Sequence, residues 1–307
     1  MRRMIAASVA RRIALKKMGA GAIALAAPMQ VLAAVSDAGK PLAKTRRIVS
    51  VGGALTEIVY ALDAQAELVG VDTTSLFPAT AQQLPQVGYA RTLSAEGVLS
   101  LAPTQLIATE EAGPATVLRQ VRDAGVTVHV LNANNRFEGL LERVKQVGRI
   151  TGRAEPATRL AQTLQQQWSG ALAGVQRRPT PVRVLFILAH APNQVMVGGR
   201  DTGADAMLAY AGAINVMGGP AGFGGYKPLT PEAVIAARPD VVLVTDQGLK
   251  ASGGVDGILK LPGLAQTPAG KQHRIVSQEA MLLLGFGPRM PQALAALDTA
   301  FVKAMTA

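Results

Sequence analysis

The chain has 307 residues, 49% of them hydrophobic, enough to fill one large or two ordinary domains. It contains no cysteine, which excludes disulfides, thiolate metal sites and cysteine nucleophiles together. The formal net charge is +11, of which Arg2, Arg3, Arg11, Arg12, Lys16 and Lys17 supply six; the +5 that remains without them suits an anionic small ligand and does not by itself indicate nucleic-acid binding.

Those six charges belong to a segment that reads as an export signal over residues 1–34. Ala10-Arg11-Arg12-Ile13-Ala14-Leu15-Lys16 has the arginine pair and downstream lysine of a twin-arginine signal. An apolar, small-residue stretch follows from Met18 to Pro28, and Val31-Leu32-Ala33-Ala34 offers small residues for cleavage. No acidic residue precedes Asp37. The apolar run is short and rich in Gly and Ala for a membrane anchor, which is the alternative. No cysteine follows it, so lipid attachment at that point is excluded. The expected location is the periplasm, after cleavage.

Beyond a polar linker at 35–45, residues 46–153 read as an α/β lobe. Ile48–Val51 is a short buried strand turned by Gly52-Gly53, and Leu55–Leu62 a helix with Thr56 and Glu57 near its start. Leu68–Val71 is the next strand and Pro78–Gln86 a polar loop with helical potential. Leu93-Ser94-Ala95-Glu96 resembles an N-cap with acidic support, and Ala102-Pro103 ends that helix. The strand Gln105–Ala108, the helix Pro114–Ala124 and the strand Val126–Leu131 follow. Apolar strands alternating with helices imply a parallel sheet covered on both faces.

The middle is helical. Phe137–Ile150 and Pro156–Val175 are broken only by Thr151-Gly152, and Leu160, Leu164, Trp168 and Leu172 form one apolar stripe. Residues 154–178 are therefore expected to be one long helix crossing between lobes, a stiffer connection than a Gly/Ser linker. The second lobe, residues 179–307, has a strand at Val182–Leu188, a helix at Asp201–Tyr210, a glycine-rich loop at Gly218–Gly225, a segment at Leu249–Gly263, a strand at Arg274–Val276 and a terminal helix at Pro291–Ala304. The glycine-rich stretch is not closed by Gly-Lys-Ser/Thr, so it reads as a cleft rim rather than a phosphate loop. No Gly-x-Ser-x-Gly elbow or catalytic triad stands out.

The two lobes share a phrase. LSAEGVLSLAPTQLIATEE, from Leu93, and LTPEAVIAARPDVVLVTDQ, from Leu229, coincide at Leu93/Leu229, Glu96/Glu232, Val98/Val234, Pro103/Pro239 and Thr109/Thr245, 136 positions apart. Each follows a Gly-Tyr-x-basic step, Gly88-Tyr89-Ala90-Arg91 and the one-residue-shorter Gly225-Tyr226-Lys227. Any α/β protein repeats a helix–Pro-Asp–strand phrase, but here the acid and the tyrosine recur too. A repeat this long suggests two similar lobes with a ligand cleft between them.

The segment Gly88–Leu101 resembles the signature of haem-binding periplasmic proteins of bacterial ABC importers, with further matches at Val51-Gly52-Gly53-Ala54-Leu55-Thr56-Glu57, Gly199-Arg200-Asp201-Thr202 and Gly285-Phe286-Gly287-Pro288-Arg289. The likeness runs from about Arg46 to Lys303. It implies the helix-linked (class III) binding-protein fold: two Rossmann-like α/β lobes joined by a single long α-helix, with haem as the transported ligand in the cleft. It also implies a monomer that docks on an inner-membrane ABC permease dimer for haem iron uptake.

The resemblance makes Tyr89 the haem-iron ligand. A phenolate is a hard anionic donor suited to ferric haem, and Arg91, two residues on, is placed to favour its ionisation or to meet a propionate. Of the three histidines, His129 sits inside a strand pattern and His273 in a polar turn. His190 follows a strand, where ligands collect in open α/β sheets; it is the second candidate for iron, although His190-Ala191-Pro192-Asn193 departs from the family's His-Gly-Gly, and a loop histidine is the alternative. Tyr226 and Lys227 hold the symmetric position and are candidates for lining the cleft or binding propionate, with Gln247 beside them. Arg289 either meets a propionate or makes a structural pairing. Met196 and Met290 are thioether candidates that core packing explains equally well. Glu96 and Glu232 either support the dipole of a first helical turn or, as the resemblance implies, dock on permease arginines, one acid per lobe. The rival readings are a binding protein of the same class for a corrinoid or ferric siderophore and, further off, a haem-modifying enzyme. Three scattered histidines without cysteine make a free-metal carrier less favoured.

Overall fold

The computed structural model describes residues 46–191, 194–219 and 222–306. The export signal, the linker at 35–45, Pro192, Asn193, and Pro220 and Ala221 of the glycine-rich stretch lie outside the described residues. The first sheet is built from β1 (Ile48–Val51), α1 (Gly53–Ala61), β2 (Leu68–Val71), α2 (Ala95–Leu99), β3 (Gln105–Thr109), α3 (Ala115–Asp123) and β4 (Thr127–Leu131). Its strand order is β2-β1-β3-β4, parallel throughout. The helices α4 (Phe137–Ile150) and α5 (Ala154–Gln176) then lead to the second sheet.

That sheet comprises β5 (Arg183–Ala191), β6 (Gln194–Gly198), α6 (Gly203–Tyr210), β7 (Ile214–Asn215), β8 (Tyr226–Pro228), α7 (Pro231–Ala237), β9 (Val241–Thr245), α8 (Asp246–Ala251), α9 (Gly254–Leu259), α10 (Pro268–Lys271) and β10 (Ile275–Gln278), followed by α11 (Ala280–Leu284) and α12 (Met290–Thr306). The order is β10-β9-β5-β6-β8, with β7 also on β5. Only β10-β9-β5 and the β5–β7 pair are parallel; β6 and β8 add antiparallel. The second sheet is therefore mixed, which the reading of alternating strands and helices did not anticipate. The link from β5 to β6 is too short for a crossover helix, so β6 has to return antiparallel.

The central strands are buried on both faces. Ile48 and Val184 face one shared core, while Val49, Val51, Leu185 and Ile187 face the outer core of their own sheet. The shared core takes in α1, α4, α5, α6 and α12, so apolar packing runs without interruption from one sheet to the other. Within it α5 buries Ala157, Ala161, Leu164, Trp168 and Val175 and packs on α4 and α12.

Trp168 is the joint. Its indole stacks on Phe137 of α4 at 4.6 Å and 5°, and meets Tyr210 of α6 edge-on at 4.9 Å and 84°. The Phe137 amide donates to the Tyr210 hydroxyl at 3.3 Å. One residue from each sheet's helices thus closes on a side chain of the connecting helix. Truncating so large a buried ring leaves a cavity that this continuous core cannot collapse. Trp168→Ala is expected to lose about 3–5 kcal/mol of stability, read from the denaturation midpoint; a loss below about 1 kcal/mol would show that the joint does not bear on stability.

Candidate functional site

The loops at the carboxyl ends of β1 and β2 are fixed by a fully buried carboxylate. Asp72 accepts from the Gly52 amide at 2.9 Å, the Ser75 hydroxyl at 2.8 Å, and the Thr74 amide and hydroxyl at 3.1 and 2.6 Å. Thr74 in turn accepts from the Gly53 amide. The Thr73 amide donates to Gly88, which ties this loop to the segment carrying Tyr89. Gly88 has φ +95° and Gly225 φ +74°, so both tyrosines follow a left-handed turn that glycine adopts without strain.

The two tyrosines differ in environment. Tyr89 caps a short 3-10 turn over Ala90–Thr92 and is 46% exposed. Arg91, in that turn, forms an exposed ion pair with Glu111 at 2.9 Å. Tyr226 is half-buried, its ring edge-on to Phe186 at 6.4 Å. Burial raises its phenol above the usual tyrosine value. Lys227 is exposed, with its ammonium 4.9 Å from the Phe223 ring centroid.

His190 is the penultimate residue of β5, so the strand runs further than Val182–Leu188. The β5–β6 register shifts between Ala189 and Ala191, around His190. Gln247, at the start of α8, accepts from the Ala280 amide at 3.3 Å. Met290 is core, 1% exposed. His129 is part-buried in β4 and burial lowers its imidazole; His273 is an exposed left-handed turn residue. Among the described residues no group of three or more His, Asp or Glu is arranged to hold a metal ion.

Arg289 makes the structural pairing that was one of its two readings. Its guanidinium is forked onto Glu57 of α1, at 3.0 and 2.5 Å, and reaches Glu279 at 3.2 Å. The guanidinium carbon lies 4.1 Å from the Phe77 ring centroid. Through Nε and one terminal nitrogen Arg289 makes a structural pairing that ties the lobes together. Nearby, the buried Arg143 of α4 donates to the Phe286 carbonyl at 2.8 Å, a second link between the lobes. Glu57, Glu279, Phe77 and Glu111 were not among the site residues expected from the sequence, although Glu57 closes the Val51–Glu57 match. Glu57 left one signal, an acid on an otherwise apolar helix.

Glu96 and Glu232 are exposed in the first turns of α2 and α7. Ser94 caps one helix by accepting from Gly97, and Thr230 the other by accepting from Ala233. Among the described residues neither acid is in a salt bridge.

Two α/β sheets on a continuous core, joined by one long helix, define a helix-linked bilobed binding protein. Residues 48–280 match the family described as periplasmic binding protein, and the chain belongs to that family. It is similar to the periplasmic heme-binding protein RhuT from Roseiflexus sp. RS-1, at 43% identity, a TM-score of 0.82, and coverage of 85% of this chain and 99% of that one. It is similar to the same degree, 43% with a TM-score of 0.81 and 85% and 99% coverage, to the periplasmic heme-binding protein BhuT, solved with two hemes. A vitamin B12-binding protein of Vibrio campbellii is 22% identical over 218 residues, covering 71% of this chain and 77% of its own length. No helix among the described residues is long and apolar enough to cross a membrane.

The inter-lobe ion pair yields a pH signature. Burial pushes the Glu57 carboxyl above the ordinary glutamate value of 4.5, outweighing the pull of Arg289. Burial disfavours the Arg289 charge, yet Glu57 and Glu279 overcome it and hold the guanidinium proton more tightly. The folded Glu57 keeps its proton to a higher pH than the unfolded one, so the stability it contributes is full below 4.5 and is lost as pH rises through its folded value. The melting temperature of the wild type relative to Glu57→Gln should therefore fall as pH is raised from below 4.5 towards neutrality; a difference that rises instead would contradict the burial argument.

Proposed function

We propose that this protein captures haem in the periplasm and hands it to an ABC permease for haem iron uptake. The observation that carries the reading is the exposed Tyr89 phenol, presented by a left-handed Gly88 turn with Arg91 in the 3-10 turn that follows it. A free phenol titrates near about 10, so binding as phenolate requires the charge of ferric iron and a nearby cation. Arg91 is that cation. Tyr226 is the poorer anionic donor because burial raises its phenol, and the reading gives it a wall of the cleft. Arg91 and the exposed Lys227 are the residues for the two propionates, with Gln247 at the rim and His190 at the end of β5 as a second axial candidate. Exposed Leu76 and Phe77, 37% and 46% accessible, supply apolar surface at the same junction for a flat macrocycle.

The likeness to solved haem-binding proteins at 43% identity supports haem over a corrinoid, for which the relatives are 22–27% identical. The reading assigns the chain no catalytic role; its relatives bind and transport. It also takes residues 1–34 as a cleaved twin-arginine signal, residues 46–153 and 179–307 as the two lobes, the mature protein as a monomer, and the partner as a two-fold permease dimer. Glu96 and Glu232, one exposed acid per lobe in the first turn of equivalent helices, suit two equivalent arginine clusters on such a dimer.

Absorbance titration in the Soret region tests the ligand assignment. Tyr89→Ala should weaken haem binding by at least about 100-fold, the upper end of what losing a metal ligand's supporting partners costs, and His190→Ala by much less. Equal affinities for wild type and Tyr89→Ala would remove the ligation. For docking, Glu96→Ala with Glu232→Ala should leave haem affinity unchanged and impair haem uptake, each acid contributing about 2 kcal/mol at the permease; normal uptake by the double variant would sink the docking role.

A further inference from the structure

The two acid-bearing helices are too short to hold themselves, at five and seven residues. Each is fixed by the same set of anchors, repeated 136 positions apart. Ser94 and Thr230 cap the amino ends. Val98 and Val234 are fully buried. At the carboxyl ends the chain passes through a left-handed residue, Ala102 with φ +44° and Arg238 with φ +45°. Both precede a proline, and both occupy a region that residues with a Cβ rarely adopt.

An arginine holds each of these ends. Arg47 sends Nε to the Ala102 carbonyl at 2.9 Å and a terminal nitrogen to Leu101 at 2.7 Å. Arg183 sends Nε to Arg238 at 3.4 Å and a terminal nitrogen to Ala237 at 2.7 Å. Their own amides donate to Thr104 and Asp240, again equivalent positions. Arg47 immediately precedes β1 and Arg183 opens β5, the strands at the middle of the two sheets. A planar fork spanning two successive carbonyls at the end of a helix satisfies acceptors that the helix leaves open and places a positive charge at the negative end of its dipole.

We infer that Arg47 and Arg183 are positioning residues for permease docking: they clamp α2 and α7 to the central strands so that Glu96 and Glu232 are offered at equivalent sites on the two lobes. This rests on the docking reading of the two acids. A two-fold partner is engaged at both ends only if the acids are presented alike, and the matching arginine forks supply that likeness from opposite halves of the chain. The clamps lie at the helix ends away from the acids and contact none of the haem-site candidates.

The test uses the mature, haem-loaded protein and the source cell's haem importer reconstituted in nanodiscs. Arg47→Gln and Arg183→Gln are compared with Glu96→Ala and Glu232→Ala, singly and combined within a lobe. The expected result has four parts: unchanged haem affinity, faster amide exchange confined to residues 98–102 or 234–238, docking affinity lowered by about the same factor as loss of that lobe's acid, and no further loss when the two changes are combined. Arg47→Lys, which keeps the charge but not the fork, should leave exchange fast. Unchanged exchange and docking in the glutamine variants, or losses that multiply on combination, would overturn the clamp. If Glu96→Ala and Glu232→Ala leave docking intact, the docking reading fails; if they weaken docking and the arginine variants do not, only the positioning role fails.

Discussion

The ion pair between Glu57 and Arg289 is the constraint around which the two lobes are arranged. A carboxylate that is 5% exposed on an apolar helix has no place in the first lobe alone. It is tolerated because a guanidinium from the second lobe meets it in a bidentate fork. Such a pair adds little net stability of its own, yet removing either member strands the other in a poorly hydrated site. Glu279 and the Phe77 ring complete the cage, and Arg143 secures the adjoining loop through Phe286. The lobes are thereby tied directly, as Trp168 ties them through the connecting helix. With a core that runs without a break from one sheet to the other, the cleft is a largely preformed site, in keeping with capture of a rigid, flat ligand.

Within that frame the internal repeat divides into symmetric and asymmetric parts. The helices α2 and α7, their caps, buried valines, left-handed ends and arginine forks are matched residue for residue. The Gly-Tyr steps are not. One tyrosine stands in solvent beside an arginine, and the other lies half-buried against Phe186 with its phenol pushed up. The matched part suits a symmetric protein partner and the unmatched part an asymmetric, iron-centred ligand. In each lobe the tyrosine precedes the helix and the acid sits in its first turn, so one duplicated segment carries residues for both partners.

Much of this was legible before any coordinates. Apolar runs such as Ile48–Val51 and Val241–Thr245 are buried on both faces and read as strands without ambiguity. The stripe through Leu164 and Trp168 announced the connecting helix, and the resemblance around Tyr89 pointed to the family. The antiparallel edge was not legible: Gln194–Gly198 and Tyr226–Pro228 are short, contain or adjoin Gly and Pro, and take their strand character from pairing, the first with β5 and the second with the first, rather than from their own pattern. The role of Arg289 was undecided because its partner Glu57 lies 232 residues away. The arginine forks were missed for a related reason. The repeat is plain from Leu93 and Leu229 onward, but its upstream part is a single arginine before a short apolar strand, and two such fragments match by chance anywhere.

The claim on which the account turns is that the Tyr89 phenolate binds the iron of ferric haem. Resonance Raman spectra of the haem complex, made with ordinary and with isotopically labelled tyrosine, test it directly. The account predicts phenolate-linked bands that shift with the label in the wild type and vanish in Tyr89→Phe. A spectrum insensitive to the label, or one unchanged in Tyr89→Phe, would contradict it.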